Sequence, residues 1–242
     1  IGLGGIEIFP RVGAAAAPSG VSAAPGGPKE RLSTGIPVLD QMLGGGVPVG
    51  YSLLLVGPSG SGKTMLATEF VAEGARNGET SVIAMFEKGP GQVMNDKLDM
   101  LVASGSAELL NVRSPDLTVD ETLYEMVRVI DRTGAKRVVL DSLSGIELAL
   151  APEFREDFRE SLYRMTTVLG EKGVTLLMTS EIEDRFAGLQ LSPHGYSSLA
   201  DAIVMQRFIE TKGRLRTVIS VVKVRGSKHS RELRDFQIDD DG

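Results

Sequence analysis

The chain of 242 residues contains no cysteine, and its only histidines are His194 and His229. Disulfide bonds and thiolate catalysis are therefore excluded, and so is a histidine-rich metal site. No apolar run approaches the roughly 20 residues that a membrane-spanning helix needs. The first eleven residues also lack the basic lead and the long apolar stretch of a signal peptide. We therefore expect a cytoplasmic protein without a membrane partner.

The chain also has fewer basic than acidic residues. Lysine and arginine number 26 against 32 aspartates and glutamates, which gives a formal net charge of −6. Because a nucleic-acid partner requires a basic surface to neutralise its phosphates, this balance makes nucleic acid an unlikely main partner. Hydrophobic residues make up 42% of the chain, enough for one sizeable core in an ordinary globular protein.

The first 29 residues differ in composition from the rest. Residues 12–28 consist of Ala, Gly, Pro, Ser and Val without a charge, so we predict a flexible linker over residues 12–29. Before it, Ile6–Pro10 has the alternating character of a strand. Ile1–Gly5 also repeats the isoleucine-to-glycine spacing of Ile238–Gly242. We therefore predict that residues 1–11 are the closing strand of a preceding copy of the domain that residues 30–242 form.

From Glu30 onward, predicted strands and helices alternate, which indicates an α/β fold with a central, mostly parallel sheet. Apolar runs predict four strands, and apolar residues at helical spacing predict three helices between them. Two further strands flank Lys212-Gly213 and predict a C-terminal antiparallel hairpin. The predicted strands are Tyr51–Val56, Thr80–Phe86, Arg137–Leu140, Val174–Thr179, Ala202–Ile209 and Leu215–Val224, and the predicted helices are Thr64–Arg76, Asp120–Asp131 and Phe154–Glu171.

A glycine-rich segment between the first predicted strand and helix fits the phosphate-loop pattern G-x-x-x-x-G-K-[ST] at all eight positions. Its glycines allow backbone N–H groups to surround a β-phosphate, its lysine reaches the β and γ oxygens, and its threonine hydroxyl ligates Mg²⁺. The segment therefore predicts binding of a nucleoside triphosphate, ATP with Mg²⁺. Its residues are Gly57, Pro58, Ser59, Gly60, Ser61, Gly62, Lys63 and Thr64.

Two carboxylates end neighbouring predicted strands. Asp141 follows the apolar strand Arg137–Leu140, where phosphate-loop proteins place the aspartate that holds Mg²⁺. Glu87 ends the strand after the phosphate-loop helix, and a carboxylate there can orient or deprotonate the attacking water and contact the metal. An exposed acidic residue at a strand end is an equally good interpretation of Glu87 from position alone.

Two further groups of residues lie far from the phosphate loop in sequence. Period-2 alternation places Lys223 and Arg225 on one face of the last predicted strand, as a solvated basic edge or as a charge clamp from a neighbouring subunit. Ser197 and Ser198 follow a loop with glycine and proline, where serines are usually turn formers. The residue pattern by itself favours the simpler interpretation of both groups.

Together these residues resemble the KaiC family, RecA-superfamily ATPases of the cyanobacterial circadian clock and their bacterial and archaeal relatives. The similarity covers residues 31–242, and the combination of motifs is more specific than any one of them. The matching segments are Arg31–Gly35, Leu39-Asp40, Gly44–Gly46, Phe86-Glu87, Leu140–Ser144, Lys223–His229 and Arg234–Ile238, besides the phosphate loop. KaiC is a tandem of two such domains, and this chain is more similar to the second.

The resemblance implies a RecA-like fold and a homo-hexameric ring with ATP at the subunit interfaces. It implies that Lys223, Arg225, Ser227 and His229 contact the nucleotide of the neighbouring subunit. It also allows for protein partners of the clock type.

The resemblance assigns chemistry to three further positions. Glu87 corresponds to the first of two adjacent catalytic glutamates, but Lys88 stands at the second. Ser197 and Ser198 correspond to the adjacent Ser/Thr pair that the second KaiC domain phosphorylates. These correspondences predict an ATPase with serine/threonine autokinase and autophosphatase activity that acts as a timer or signalling switch.

Two alternative functions remain. A DNA-acting recombinase or helicase motor shares this core, but residues 142–160 hold five acidic and two basic residues, and Arg185 is the one fixed positive charge in residues 184–198. These loops count against DNA. A nucleotide-gated scaffold with little turnover is the other alternative, because Lys88 replaces a family glutamate.

Overall fold

The computed structural model describes residues 30–86, 96–111, 119–149, 158–182 and 196–238. The strands are β1 (Arg31–Leu32), β2 (Val47–Pro48), β3 (Ser52–Gly57), β4 (Ser81–Met85), β5 (Ala107–Asn111), β6 (Arg137–Asp141), β7 (Thr175–Glu181), β8 (Ala202–Thr211), β9 (Arg214–Val224) and β10 (Arg234–Phe236). The helices are α1 (Pro37–Leu43), α2 (Lys63–Arg76), α3 (Asp96–Ala103), α4 (Val119–Thr133), α5 (Leu143–Ala149) and α6 (Phe158–Glu171), and Tyr196–Ser198 forms a 3₁₀ turn.

One eight-stranded sheet organises the described residues, in the order β10-β9-β8-β3-β7-β6-β4-β5. The six strands from β8 to β5 are joined by parallel pairs, and β9 and β10 are added through antiparallel pairs. Strands β1 and β2 form a separate two-stranded sheet. The predicted α/β fold with a mostly parallel sheet is confirmed. Because parallel strands all end at the same edge, residues that follow β3, β6 and β7 meet there.

Helices cover both faces of the sheet. Successive side chains of each buried strand point to opposite faces, so each strand contributes to an apolar cluster on either side. Leu54 and Val56 of β3 belong to the apolar cluster that includes α4, α5 and α6. Leu53 and Leu55 belong to the other cluster, with α1, α2 and α3. All six residues of β3 are buried, so the strand that carries the phosphate-loop motif is held from both sides.

The predicted hairpin is confirmed, and its two turn residues have the backbone conformation that a tight antiparallel hairpin requires. Lys212 and Gly213 have φ angles of 54° and 72°, the left-handed pair of a type I′ turn, which fits the twist of two antiparallel strands. Strands β8 and β9 pair along their whole length, from Thr211 opposite Arg214 to Ala202 opposite Val224. The last residues of β9 therefore lie beside the first residues of β8.

The predicted elements match the described ones closely, with bounds that shift by one or two residues. The predicted helix Phe154–Glu171 is seen from Phe158 onward, since residues 150–157 lie outside the described ranges. The predicted linker and the strand of a preceding copy fall in residues 1–29, also outside those ranges, and stay predictions. Within the described ranges, no helix combines the length and hydropathy that crossing a membrane requires.

A buried arginine joins several parts of the fold. Arg137 at the start of β6 is only 1% exposed. Its Nε donates to Glu79 at 2.6 Å, and its Nη1 donates to the carbonyl oxygens of Ser33 at 2.7 Å and Phe70 at 3.2 Å. The guanidinium also lies 4.6 Å from the centroid of the Phe70 ring. A buried charge is tolerated only when it is paired and hydrogen-bonded, so Glu79 is essential to this arrangement.

We expect the Glu79→Gln substitution to lower the free energy of unfolding by about 1.5–3 kcal/mol, because a buried guanidinium loses its charged acceptor. Denaturant unfolding monitored by circular dichroism measures the change. The control is Asp131→Asn, which removes the carboxylate from the exposed ion pair with Lys172 at 2.7 Å. An exposed pair contributes about 0–1 kcal/mol. Equal losses in the two variants would contradict the role given to Arg137.

Candidate functional site

The phosphate-loop motif lies where strand β3 ends and helix α2 begins. Gly60 and Gly62 have φ angles of +76° and +96°, which other residues adopt only with strain. Gly62 is also tightly enclosed, because a Cβ atom there would lie 2.6 Å from Cδ1 of Ile238 and 2.9 Å from Cε1 of Phe236. Pro58, Ser59 and Gly60 reach the surface. The loop thus presents backbone N–H groups at a helix N-terminus, which favours an anion.

Lys63, the first residue of α2, folds back over the loop. Its Nζ donates to the carbonyl oxygens of Gly57 at 2.9 Å and Pro58 at 2.8 Å. These bonds place a positive charge above the amide groups of the loop. An anion that enters the loop therefore meets the ammonium group and the backbone donors together.

Thr64 and Asp141 meet beside the loop, as the sequence predicts. The Thr64 hydroxyl donates to Oδ2 of Asp141 at 2.9 Å, and the Thr179 hydroxyl donates to Oδ1. Asp141 ends β6 and Thr179 lies on the neighbouring β7, so the shared edge of the parallel strands brings them together. The arrangement offers a carboxylate and hydroxyl oxygens, the ligand type that Mg²⁺ prefers.

Two residues that contact the site, Thr179 and Gln206, were not predicted from the sequence as site residues. Thr179 was predicted only as a strand residue, although it is fully buried beside Asp141. Gln206 on β8 accepts a hydrogen bond from the Ser61 hydroxyl at 3.1 Å, inside the protein. A glutamine directly after the apolar residues Ala202–Met205 was the available signal, since a polar side chain in a buried strand needs a partner.

The predicted residues of the last strand form a second group. Nζ of Lys223 donates to the carbonyl oxygens of Ala200 at 2.7 Å and Ser197 at 3.3 Å. Arg225 donates from Nη2 to the Ser198 carbonyl at 3.5 Å. The structure thus brings the two candidate phosphorylation sites against the two candidate interface cations, which the sequence did not predict within one chain.

A third cation joins this group. Arg159 on α6 donates from Nη2 to the Ser198 hydroxyl at 3.1 Å. We call Arg159, Lys223 and Arg225 the basic cluster. Asp201 is its anion, with Oδ1 3.0 Å from Nη1 of Arg225. Burial lowers the pKa of Lys223 below its usual value, Arg225 lowers it further, and Asp201 offsets part of the change.

The other two predicted interface residues are anchored differently. The Ser227 hydroxyl accepts a hydrogen bond from Arg31, which also donates to the Gly46 carbonyl at 2.7 Å. His229 has a buried Nδ1 without a hydrogen-bond partner among the described residues. The segment after β9 is therefore tied to the segment before α1, and His229 keeps an unused ring nitrogen.

The two groups lie at opposite ends of the sheet. The phosphate loop follows Gly57 at the end of β3, whereas Asp201 accepts from the Ser52 backbone N–H at the start of that strand, at 3.1 Å. Leu53 pairs with Ala202, which pairs with Val224. At about 3.3 Å per residue, the length of β3 separates the groups by roughly 15 Å or more. One chain therefore does not bring the basic cluster to its own phosphate loop.

Glu87 and Lys88 lie outside the described residues. The prediction that Glu87 activates water or contacts a metal therefore stays a prediction. Phe86, directly before it, donates its backbone N–H to the Asp141 carbonyl at 3.2 Å.

Comparison with known families agrees with this geometry. A family model described as "ATPase: KaiC" matches residues 32–242. The chain belongs to the KaiC family of ATPases. The proposed resemblance and the RecA-like fold are thereby confirmed, and the phosphate loop with Thr64 and Asp141 is the candidate ATPase site of a KaiC-family domain.

Individual relatives of this KaiC-family chain are moderately similar. The circadian clock protein KaiC3 of Synechocystis sp. is 30% identical over 218 residues, which cover 88% of this chain and 43% of that protein. The circadian clock oscillator protein KaiC of Rippkaea orientalis is 26% identical and is covered to 41%. The chain thus spans less than half the length of these curated relatives. A crystal structure of a KaiC-like protein from the archaeon Pyrococcus horikoshii has a TM-score of 0.76 at 30% identity, with 88% of this chain and 96% of that one covered.

Proposed function

We propose that this KaiC-family chain binds and hydrolyses Mg·ATP at sites that two neighbouring copies complete, and that it phosphorylates Ser197 or Ser198. The observation that carries the proposal is the division of the machinery between two ends of the sheet. Lys63, Thr64 and Asp141 lie at one end, and the basic cluster lies roughly 15 Å or more away at the other.

The loop end supplies the groups that hold the nucleotide. Backbone N–H groups at the N-terminus of α2, from Gly62 to Thr64, and the Lys63 ammonium bind the phosphates. Thr64 and Asp141 hold Mg²⁺, together with Glu87, which also positions the attacking water. When bound, Mg²⁺ neutralises the negative charge that accumulates on the β and γ phosphate oxygens. Lys63 would leave the Gly57 and Pro58 carbonyls for the phosphates, a stronger charge-assisted bond.

An apolar surface next to the loop fits a nucleotide better than a bare phosphate. Phe236 and Ile238 close over Gly62 and line a cavity of about 220 Å³ together with Met65 and Glu69. Small-ligand sites are typically apolar with a few polar groups. We assign this surface to the base and ribose of ATP.

Charge supports head-to-tail assembly of copies. Residues 202–238, which form the edge of the sheet with β9 and β10, contain nine lysines and arginines and three acidic residues. Residues 96–132, which include the opposite edge strand β5, contain four basic and eight acidic residues. A basic edge that meets an acidic edge is a heterologous contact, which closes into a ring when the rotation permits. We propose the homo-hexamer as that ring.

The surroundings of Ser198 support the autokinase. A phosphoserine carries a charge of about −1.5 to −2 at pH 7 and is stabilised by nearby arginines. Arg159 already contacts the Ser198 hydroxyl, and Lys223 and Arg225 contact the backbone of the two serines. A phosphate on Ser198 would thus be surrounded by three cations.

Incubation with Mg·ATP followed by intact and peptide mass spectrometry tests the autokinase, and ADP release tests the ATPase. We expect phosphate on Ser197 or Ser198 in the wild type and none in Glu87→Gln, because the substitution removes the carboxylate and leaves the loop. Unmodified peptide after long incubation, while hexamers form, would contradict the autokinase.

A nucleotide-gated scaffold is the second candidate, because Lys88 places a cation next to Glu87 where the family has a second glutamate. ADP release at the no-enzyme background, with nucleotide bound and rings formed, would establish this alternative.

A further inference from the structure

A buried glutamine lies directly behind the phosphate loop. Gln206 is fully buried on β8, and its Oε1 accepts from the Ser61 hydroxyl at 3.1 Å. Its Nε2 is buried and has no hydrogen-bond partner among the described residues. An amide carries two N–H donors, and burying them without acceptors costs free energy. The unpaired amide donors of Gln206 therefore cost free energy, which offsets the gain from its hydrogen bond to Ser61.

Ser61 anchors the loop from the inside. Of residues 58–64, it is the one that is buried, at 1% exposure. It stands between Gly60 and Gly62, which have no side chains, so its hydroxyl is the one side-chain group that ties this turn to the sheet. The position of the backbone N–H groups around it depends on that tie.

Gly57 makes room for the contact between Ser61 and Gln206, because it has no side chain. A Cβ atom on Gly57 would lie 2.7 Å from Oγ of Ser61 and 3.0 Å from Cβ of Gln206. The absence of this atom allows Ser61 to pack down onto the glutamine. Gly57 thus serves two purposes, since its carbonyl also accepts from Lys63 at 2.9 Å.

We propose that Gln206 is a positioning residue that holds the phosphate loop in its anion-binding shape through Ser61. This inference rests on the nucleotide binding proposed above and adds to it a residue outside the motif. The hydrogen bond fixes Ser61, whose backbone N–H closes the turn by donating to the Pro58 carbonyl at 3.3 Å, so loss of the bond lets the loop relax away from that shape. A preorganised loop binds anions more tightly, because less ordering remains for the binding step.

The Gln206→Met substitution separates binding from stability. Methionine has a similar volume and no buried amide donors, which offsets the buried Ser61 hydroxyl that loses its acceptor, so we expect the melting temperature without nucleotide to stay within about 2 °C of the wild-type value. We expect the Kd for a fluorescent ADP analogue with Mg²⁺ to increase about tenfold, because Ser61 loses its acceptor. A merely structural residue would move both quantities in the unfavourable direction.

Ser61→Ala breaks the same bond from the loop side and serves as the second variant. We expect it to weaken ADP binding about as much as Gln206→Met, and the double variant to be no weaker than either single one, since both remove one hydrogen bond. The matched control is Ser220→Ala. Ser220 also has a buried polar atom without a partner, but it pairs with Met205, whose side chain joins the opposite face of the sheet. The Kd of Ser220→Ala for the ADP analogue should equal that of the wild type.

The outcomes are distinct. An unchanged melting temperature with weaker binding in Gln206→Met, and no change of Kd in Ser220→Ala, supports the inference. An unchanged Kd in Gln206→Met, or additive losses in the double variant, overturns it while ADP binding by the wild type leaves the proposed function standing. A wild-type chain that binds no ADP overturns both.

Discussion

Replacing Asp141 with asparagine is expected to reduce Mg²⁺-dependent ATP hydrolysis on the order of 100-fold while the chain stays folded. Asparagine has the shape of aspartate, and its carbonyl oxygen still accepts from Thr64 or Thr179, which bond the two carboxylate oxygens. What it lacks is the negative charge that holds a divalent cation. The rate of ADP release, measured against Mg²⁺ concentration, should show both a lower maximum and a higher Mg²⁺ requirement.

Nucleotide binding without metal is the internal comparison for this variant. The loop amides and Lys63 are untouched, so we expect the affinity for ADP in the presence of a chelator to match that of the wild type. Asp131→Asn is the control for a generic loss of charge, since Asp131 pairs with Lys172 far from the loop. Wild-type hydrolysis by Asp141→Asn would show that the metal is held elsewhere and would remove Thr64 and Asp141 from its site.

The residues that sequence reasoning located are those whose neighbours in space are also neighbours along the chain. The phosphate loop is a local turn between a strand and a helix, so its eight positions follow from one pattern. Asp141 follows from an apolar run that stops at a carboxylate, where phosphate-loop proteins place the aspartate that holds Mg²⁺. Both were predicted by position and lie as expected.

The contacts that sequence reasoning did not predict join residues that lie far apart along the chain. Ser61 and Gln206 are separated by 145 residues, and Arg159 and Ser198 by 39. The apolar residues before Gln206 indicate that it is buried, but its partner Ser61 becomes apparent only once β8 is known to lie beside β3. Strand order is set by the packing of the whole chain, so long-range contacts of this kind become visible only in the folded structure.

The structure also changed the interpretation of Lys223 on β9 and of Arg225, which directly follows that strand. Alternation predicts that Lys223 and Arg225 share a face, but it could not show which end of the sheet they occupy. The antiparallel pairing of β8 and β9 carries them to the end away from the phosphate loop. A solvated edge would leave them free of specific contacts, whereas they bond the backbone of Ser197 and Ser198.

Two inactive variants mixed together are expected to recover activity, because each site needs groups from two copies. Lys63→Met removes the phosphate-binding ammonium and leaves the basic cluster intact. Arg225→Ala removes the guanidinium and leaves the loop intact, and we expect it to lower hydrolysis about 1000-fold, as for an arginine supplied to a neighbouring phosphate. In an equimolar ring, about a quarter of the interfaces join an intact loop to an intact Arg225. ADP release by the mixture should approach that fraction of the wild-type rate.

The same mixture decides between an interface role and a structural one for Arg225. The side chain is 57% exposed and pairs with Asp201, so its removal costs little stability. Asp201→Asn disturbs that pair without removing the guanidinium, and mixing it with Arg225→Ala should restore nothing beyond the Asp201→Asn activity itself. If Lys63→Met and Arg225→Ala stay inactive together while native mass spectrometry shows mixed rings, both groups act within one copy. That result is incompatible with the roughly 15 Å or more that β3 places between them, and it would require the sheet to rearrange on binding.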